Sequence, residues 1–187
     1  MLMAWIRIVD EAEAEGKLKE YYDEIKKTRG KVANIMKIHS LHPEAMMGHL
    51  NFYKTIMFGP SGLSRRQREL LATVVSSLDK CSYCTRHHLE ALRAYVKDEA
   101  FLTQVQRDYT QASLDIKDRA MLDYASKLTL TPGAMTRQDI ENLRKAGFAD
   151  EEILSINLIT SYFNFVNRVA TGLGVEFSEE EARGYRY

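Results

Sequence analysis

Cys81 and Cys84 are the only cysteines of the 187-residue chain, and His88 follows the second by four positions. On a helix, at roughly 100° per residue, these three side chains fall within about a 60° arc, so two thiols and an imidazole share one face. Cysteine chemistry needs an acid/base group within hydrogen-bond reach of the sulfur, and this spacing supplies one. Cys81 falls at or near the start of such a helix. Unpaired N–H groups and the helix dipole there stabilise a thiolate and lower a thiol pKa from its usual ~8.5. Cys84 lies one turn further in, closer to His88. This register predicts that Cys84 attacks an oxidant and that Cys81 resolves the resulting sulfenic acid as a disulfide.

Glu69 is the next candidate. Its helix precedes the cysteine helix by a two-residue link, Asp79-Lys80, so the two helices must pack antiparallel or at an angle. Glu69 can then reach back to the level of Cys84 and His88, where a carboxylate holds a histidine tautomer or passes its proton. An acid on a helix is more often simply solvated. Two other readings of the cysteine motif stay open: a buried pair with no chemistry, and a zinc site through Cys81, Cys84 and His88 with Glu69 or His87 as fourth ligand. Structural zinc commonly draws on a second, distant Cys/His pair, and the sequence has none. His39, His42 and His49 have no ligand-like spacing and read as core or surface residues.

The elements that position these groups read as helices throughout. Three prolines and ten glycines are few for a chain of many short strands. A first helix is predicted over about Glu13–Thr28, then a linker over Asn34–His42 with a short helical turn, and a second helix from Pro43 to Phe58. Ser64-Arg65-Arg66-Gln67 is a capping box opening a helix to Leu78, with Leu70, Leu71, Val74, Val75 and Leu78 as its apolar stripe. The cysteine helix is expected over Cys81–Val96, followed by helices near Asp98–Arg107 and from Asp115 to Thr131. Thr136-x-x-Asp139 caps another that ends at Gly147. The last, Ile153–Leu173, is apolar around most of its circumference, which predicts burial in the core or a subunit interface. Asn164 and Asn167 on it need hydrogen-bond partners if buried. The expectation is an all-α, single-domain helical bundle over residues 1–187, with an N-terminal extension and helix to residue 40, a core over 41–175 and a C-terminal tail.

Composition is that of an ordinary globular protein, 45% hydrophobic and 28% charged. Lys+Arg and Asp+Glu balance at 26 each, so no global field recruits nucleic acid or anionic membrane. Apolar runs are too short to span a bilayer, and Met1–Asp10 lacks the pattern of a secretory signal. A cytoplasmic protein is expected, where a C-x-x-C pair is catalytic or metal-binding more often than a structural staple.

Glu69 followed by Cys81-x-x-Cys84-x-x-x-His88, with twelve positions between Glu69 and Cys81, resembles the alkylhydroperoxidase D-like branch of the carboxymuconolactone decarboxylase superfamily. Leu63-Ser64 before Arg68-Glu69, His87-His88, and Phe163-Asn164-Phe165-Val166-Asn167-Arg168 before Leu173-Gly174 resemble its peroxidase-related subgroup. The resemblance spans about Leu41 to Val175. It implies an all-α homo-oligomer with the cysteine pair at the start of a core helix, and it implies hydroperoxide reduction. Cys84 matches the peroxidatic thiol, Cys81 its disulfide partner, and Glu69 with His88 the proton relay. A dithiol donor such as a lipoyl domain or thioredoxin-like protein would reduce the disulfide, and no metal or other cofactor is required. Tyr83 departs from the pattern, standing where better-studied members carry a histidine. A phenol with a pKa near 10 can donate a hydrogen bond but is no base near neutral pH. The alternatives to a peroxidase are a redox-responsive or zinc-binding helical oligomer without enzymatic activity, and a lactone decarboxylase-like enzyme.

Overall fold

The computed structural model describes residues 4–178. These form nine α-helices, joined by turns that include two short 3₁₀ segments. They are α1 (Gly16–Arg29), α2 (Asn34–Lys37), α3 (Pro43–Phe58), α4 (Arg65–Leu78), α5 (Ser82–Leu92), α6 (Glu99–Asp108), α7 (Ile116–Leu130), α8 (Arg137–Lys145) and α9 (Asp150–Gly172). The all-α expectation holds, and most helix limits follow their sequence signals. Ser64 and Gln67 form the anticipated capping box, the Gln67 N–H donating to Ser64 Oγ at 3.2 Å and the Ser64 N–H to Gln67 Oε1 at 3.0 Å. Caps of this kind are worth ~1 kcal/mol each.

Two boundaries differ from expectation. α1 starts at Gly16, not Glu13, because Gly16 adopts a left-handed φ of 51° that no preceding helical turn can share. α5 ends at Leu92, four residues short of Val96. Asp98 accepts hydrogen bonds from the N–H groups of Ala100 and Phe101, fixing the start of α6. The chain must therefore leave α5 early, through the tighter bonds Ala94 N–H to Ala91 O and Tyr95 N–H to Leu92 O.

α4 is the centre of the bundle. It packs against α5, α7 and α9, and also touches α3 and α6. Nine consecutive residues, Arg68 to Ser76, are buried, so its polar side is enclosed as fully as its apolar stripe. Small residues on that side, Ala72, Thr73 and Ser76, let neighbouring helices close in. For α9 the sequence predicts burial in the core or a subunit interface. That helix buries Ile156, Ile159, Phe163 and Val166 but leaves Leu154 59% and Phe165 49% exposed. α9 lies at the edge of the bundle, where one side has no helix against it among the described residues.

Two hydrophobic clusters result. The larger gathers α4–α9, and a smaller one joins Leu18, Tyr22 and Ile25 of α1 with Met36 of α2 and Met46 and Leu50 of α3. Ile35 and Tyr53 pack against both. Of the N-terminal segment, Trp5 donates its N–H to Leu173 O at 2.9 Å and Val9 its N–H to Ser40 Oγ at 2.9 Å, tying it across the end of α9 and the α2–α3 turn. The aromatic tail Gly184–Tyr187 lies outside the described residues.

Candidate active site

The turn between α4 and α5 sets the position of the first cysteine. Lys80 takes a left-handed φ of 57°, its N–H donating to Ser77 O and the Cys81 N–H donating to Ser76 O. This pair of bonds is a Schellman closure, a conformation that favours glycine and costs a residue with a side chain ~1 kcal/mol. α9 braces the turn: Asn167 accepts from Ser76 Oγ at 3.0 Å and donates to Asp79 Oδ2 at 3.0 Å. Asn164 donates to Thr129 Oγ1 at 2.9 Å, so both asparagines are satisfied as structural anchors.

Cys81 is thereby the N-cap of α5, and the Cys84 N–H points at its sulfur at 3.4 Å. The two sulfurs are 3.0 Å apart, both residues are free cysteines, and they are 2% and 3% exposed. A proton on Cys84 is shared with Cys81, and this is the largest influence on both thiols. It draws Cys81 down to about 7, against the opposing effect of burial and with help from the Cys84 N–H. Cys84 moves the other way, well above the ordinary thiol value, because it gives that hydrogen bond and is deeply buried. Of the two thiols, Cys81 is the one favoured to ionise.

Glu69, wholly buried at 0% exposure, stands between two partners. Its Oε2 is 2.8 Å from His88 Nδ1, and its Oε1 is 2.6 Å from Arg65 Nη2. A buried carboxylate is retained only where charge and hydrogen bonds compensate it, and Arg65 supplies the charge. Arg65 is itself fixed by the Met57 carbonyl and by stacking over the Phe58 ring, 3.9 Å to its centroid. With Nδ1 donating to Glu69, His88 presents Nε2 as its free basic nitrogen, while the ring packs edge-on against Phe163 with centroids 4.5 Å apart. Arg68, one position before Glu69, takes no part; it ties the Gly59–Leu63 loop to α4 through the carbonyls of Ile56, Gly59 and Leu63.

A pocket with about 680 Å³ of empty space, counting the part open to solvent, reaches this centre. Cys84 and His88 line it and Cys81 does not. Its other walls are mostly apolar and aromatic, including Ile35, Met36, Leu50, Tyr53, Tyr162 and Phe163. Tyr83, between the cysteines, turns its hydroxyl to α2, where it accepts the Ile35 N–H at 3.2 Å. His87 stacks on Tyr83 with centroids 4.6 Å apart. The site thus unites Glu69, Cys81, Cys84 and His88, the four residues singled out from sequence. Arg65, Tyr162 and His49 were not singled out: Arg65 belongs to a capping box, and the other two sit inside apolar helical patterns. Among the described residues no group of three or more His, Cys, Asp or Glu side chains is arranged to hold a metal ion. No described helix is long and apolar enough to cross a membrane.

Comparison with known proteins agrees with this architecture. The family model for the carboxymuconolactone decarboxylase family matches residues 43–103, from the start of α3 into α6. No curated protein gives a significant match. Among solved structures, an uncharacterized peroxidase-related protein from Silicibacter sp. TM1040 is 31% identical over 97% of this chain and 95% of its own, with a TM-score of 0.86. A second, the alkylhydroperoxidase AhpD core of an uncharacterized peroxidase-related protein from Ralstonia eutropha JMP134, is 26% identical over the full length of both chains, also at 0.86. The debrominase Bmp8, 15% identical over 98% of each chain with a TM-score of 0.76, shares the fold. With near-complete coverage at 31% identity and the cysteine motif inside the matched family segment, the chain belongs to the alkylhydroperoxidase D-like branch of the carboxymuconolactone decarboxylase superfamily.

Proposed function

We propose that the protein is a cysteine-based hydroperoxide reductase in which Cys84 is oxidised first and Cys81 resolves it. One observation carries this reading: two thiols 3.0 Å apart share a proton beside a Glu69–His88 dyad, and only Cys84 of the pair lines the pocket. His88 Nε2 takes the Cys84 proton, and Glu69 steadies the imidazolium. The Cys84 thiolate then attacks the terminal peroxide oxygen. A sulfur–oxygen bond forms, the O–O bond breaks, the sulfur loses two electrons to the peroxide, and His88 returns the proton to the departing alkoxide. The Cys81 thiolate next attacks the Cys84 sulfenic acid; the disulfide forms and hydroxide leaves as water after protonation. A dithiol donor, such as a lipoyl domain or thioredoxin-like protein, reopens it.

The pocket draws Met36 and Leu50 from the smaller cluster and Cys84 and Phe163 from the larger, which supports a single functional domain. A homo-oligomer using the exposed apolar side of α9, in a cytoplasm where reduced dithiols are available, fits the same reading. The test is intact mass spectrometry of the reduced protein before and after one equivalent of hydroperoxide, with peroxide turnover measured in parallel. The expected result is loss of two hydrogens, mapped to a Cys81–Cys84 disulfide and reversed by a dithiol. Cys84→Ser should abolish turnover, and Cys81→Ser should leave a sulfenic acid trapped at Cys84. Equal, intact turnover in both variants would overturn the assignment.

A further inference from the structure

The pocket holds a second polar group that the relay above does not use. Tyr162 lines the cavity with Cys84, and its hydroxyl lies 2.6 Å from His49 Nε2. His49 is buried within α3, and its ring meets His39, Tyr162 and Phe165 edge-on. Burial keeps His49 neutral, its pKa pushed down to about 3, so its ring holds one proton. The other ring nitrogen, Nδ1, is buried with no hydrogen-bond partner among the described residues. Leaving a bare lone pair unpartnered in an apolar site is less costly than leaving an N–H so. Either tautomer leaves one donor over; with the proton on Nε2 it is the phenol, which lines the pocket, and not the enclosed Nδ1, so His49 donates to the Tyr162 oxygen in this arrangement. That occupies the phenol as an acceptor and leaves its own O–H to point elsewhere. Burial pushes the phenol well above its ordinary pKa, with Tyr53 and then Cys84 adding to the effect, so the hydroxyl stays protonated within electrostatic reach of the Cys84 sulfur.

We propose that Tyr162 is a catalytic hydrogen-bond donor to the leaving oxygen of the peroxide, with His49 as the residue that positions it. Consecutive residues of α9 then serve the two sides of the reacting bond, Phe163 packing on His88 and Tyr162 reaching His49. Tyr162 keeps its proton throughout. The S–O bond forms at Cys84, the O–O bond breaks, and the developing alkoxide is held by the phenol until His88 protonates it. This deepens the peroxidase reading and rests on it. A donor of this kind matters in proportion to the charge that develops on the leaving oxygen, so its worth depends on the oxidant.

The experiment compares kcat/KM for tert-butyl hydroperoxide, which expels a strongly basic alkoxide, with that for peracetic acid, which expels weakly basic acetate. Dithiothreitol serves as the dithiol. Tyr162→Phe keeps the ring and should lose ~100-fold with the alkyl hydroperoxide but less than ~10-fold with the peracid. His49→Leu should show the same selective loss, and His49→Gln, whose amide can still donate, should recover part of it. Iodoacetamide labelling of the thiols at an unchanged rate reports that the site remains assembled. An equal loss with both oxidants, or none in either Tyr162→Phe or His49→Leu, would overturn the assignment. A wild-type protein that reduces neither oxidant would refute the peroxidase reading itself.

Discussion

Replacing Cys84 by alanine tests the proton-sharing account most directly, because that side chain is the largest cause of the Cys81 thiolate. With a pKa of about 7, Cys81 is about nine-tenths ionised at pH 8, whereas a thiol at the usual ~8.5 is about one-quarter ionised there. Ultraviolet absorbance of the thiolate, followed from pH 5 to 10, should show one inflection near 7 in the reduced wild type, with the amplitude of a single sulfur. In Cys84→Ala the S–H donor is gone and only the backbone N–H of residue 84 and Thr171 still oppose burial, so the inflection moves up. In Cys84→Ser a hydroxyl still donates, and the shift is smaller. Stability should follow with a definite sign. The folded pKa lies below the ordinary ~8.5, so the thiolate's contribution is fully present above pH ~9 and is lost as pH falls through 7. At ~1.4 kcal/mol per pH unit that is ~2 kcal/mol, readable as a change in urea midpoint between pH 6 and 9 that Cys84→Ala reduces. An alanine variant that still titrates near 7 would refute proton sharing and leave the helix terminus as the cause.

Two further substitutions probe the neighbouring groups. Glu69→Gln removes the charge that balances Arg65 and leaves one acceptor oxygen for two donors, Arg65 and His88; peroxide turnover should fall ~100-fold while helical circular dichroism persists, and an unchanged rate would reduce Glu69 to a structural acid. Lys80→Gly relieves the left-handed turn before Cys81 and should raise stability by ~0.5–1 kcal/mol, or ~1–4 °C in Tm, by thermal melting; a lower Tm would mean that the lysine side chain outweighs its backbone strain.

Local signals in the sequence were enough to place the candidate residues near one another. Glu69, Cys81, Cys84 and His88 were legible because a helix converts spacing into direction, and a two-residue link forces adjacent helices together. Turn and cap residues gave most helix limits for the same local reason. What could not be read depends on contacts between distant segments. Arg65 looked like part of a cap because its partners, Glu69 and Phe58, lie on one helix and on the end of another. The Tyr162–His49 pair joins residues 113 positions apart, and neither has a short-range pattern to mark it. The apolar stripe of α4 was legible, but the partners that satisfy its enclosed polar side, Asn167, Arg65 and His88, are ones periodicity alone cannot supply. For α9, apolar residues on every side do not say which sides the chain itself covers.

The division of the pocket between two hydrophobic clusters bears on how such a protein can diversify. The sulfur pair, its dyad and Phe163 belong to elements packed around α4, whereas Met36 and Leu50 belong to the small α1–α3 cluster. Side chains without shared packing partners contribute almost independently to stability. New shapes can therefore be tried on the α1–α3 wall at little risk to the groups that tune the thiols. Ile35 and Tyr53, which touch both clusters, mark where that freedom ends. With His49 on α3 as the exception, the groups proposed to set reactivity lie in one half of the molecule, and selectivity is open to drift in the other.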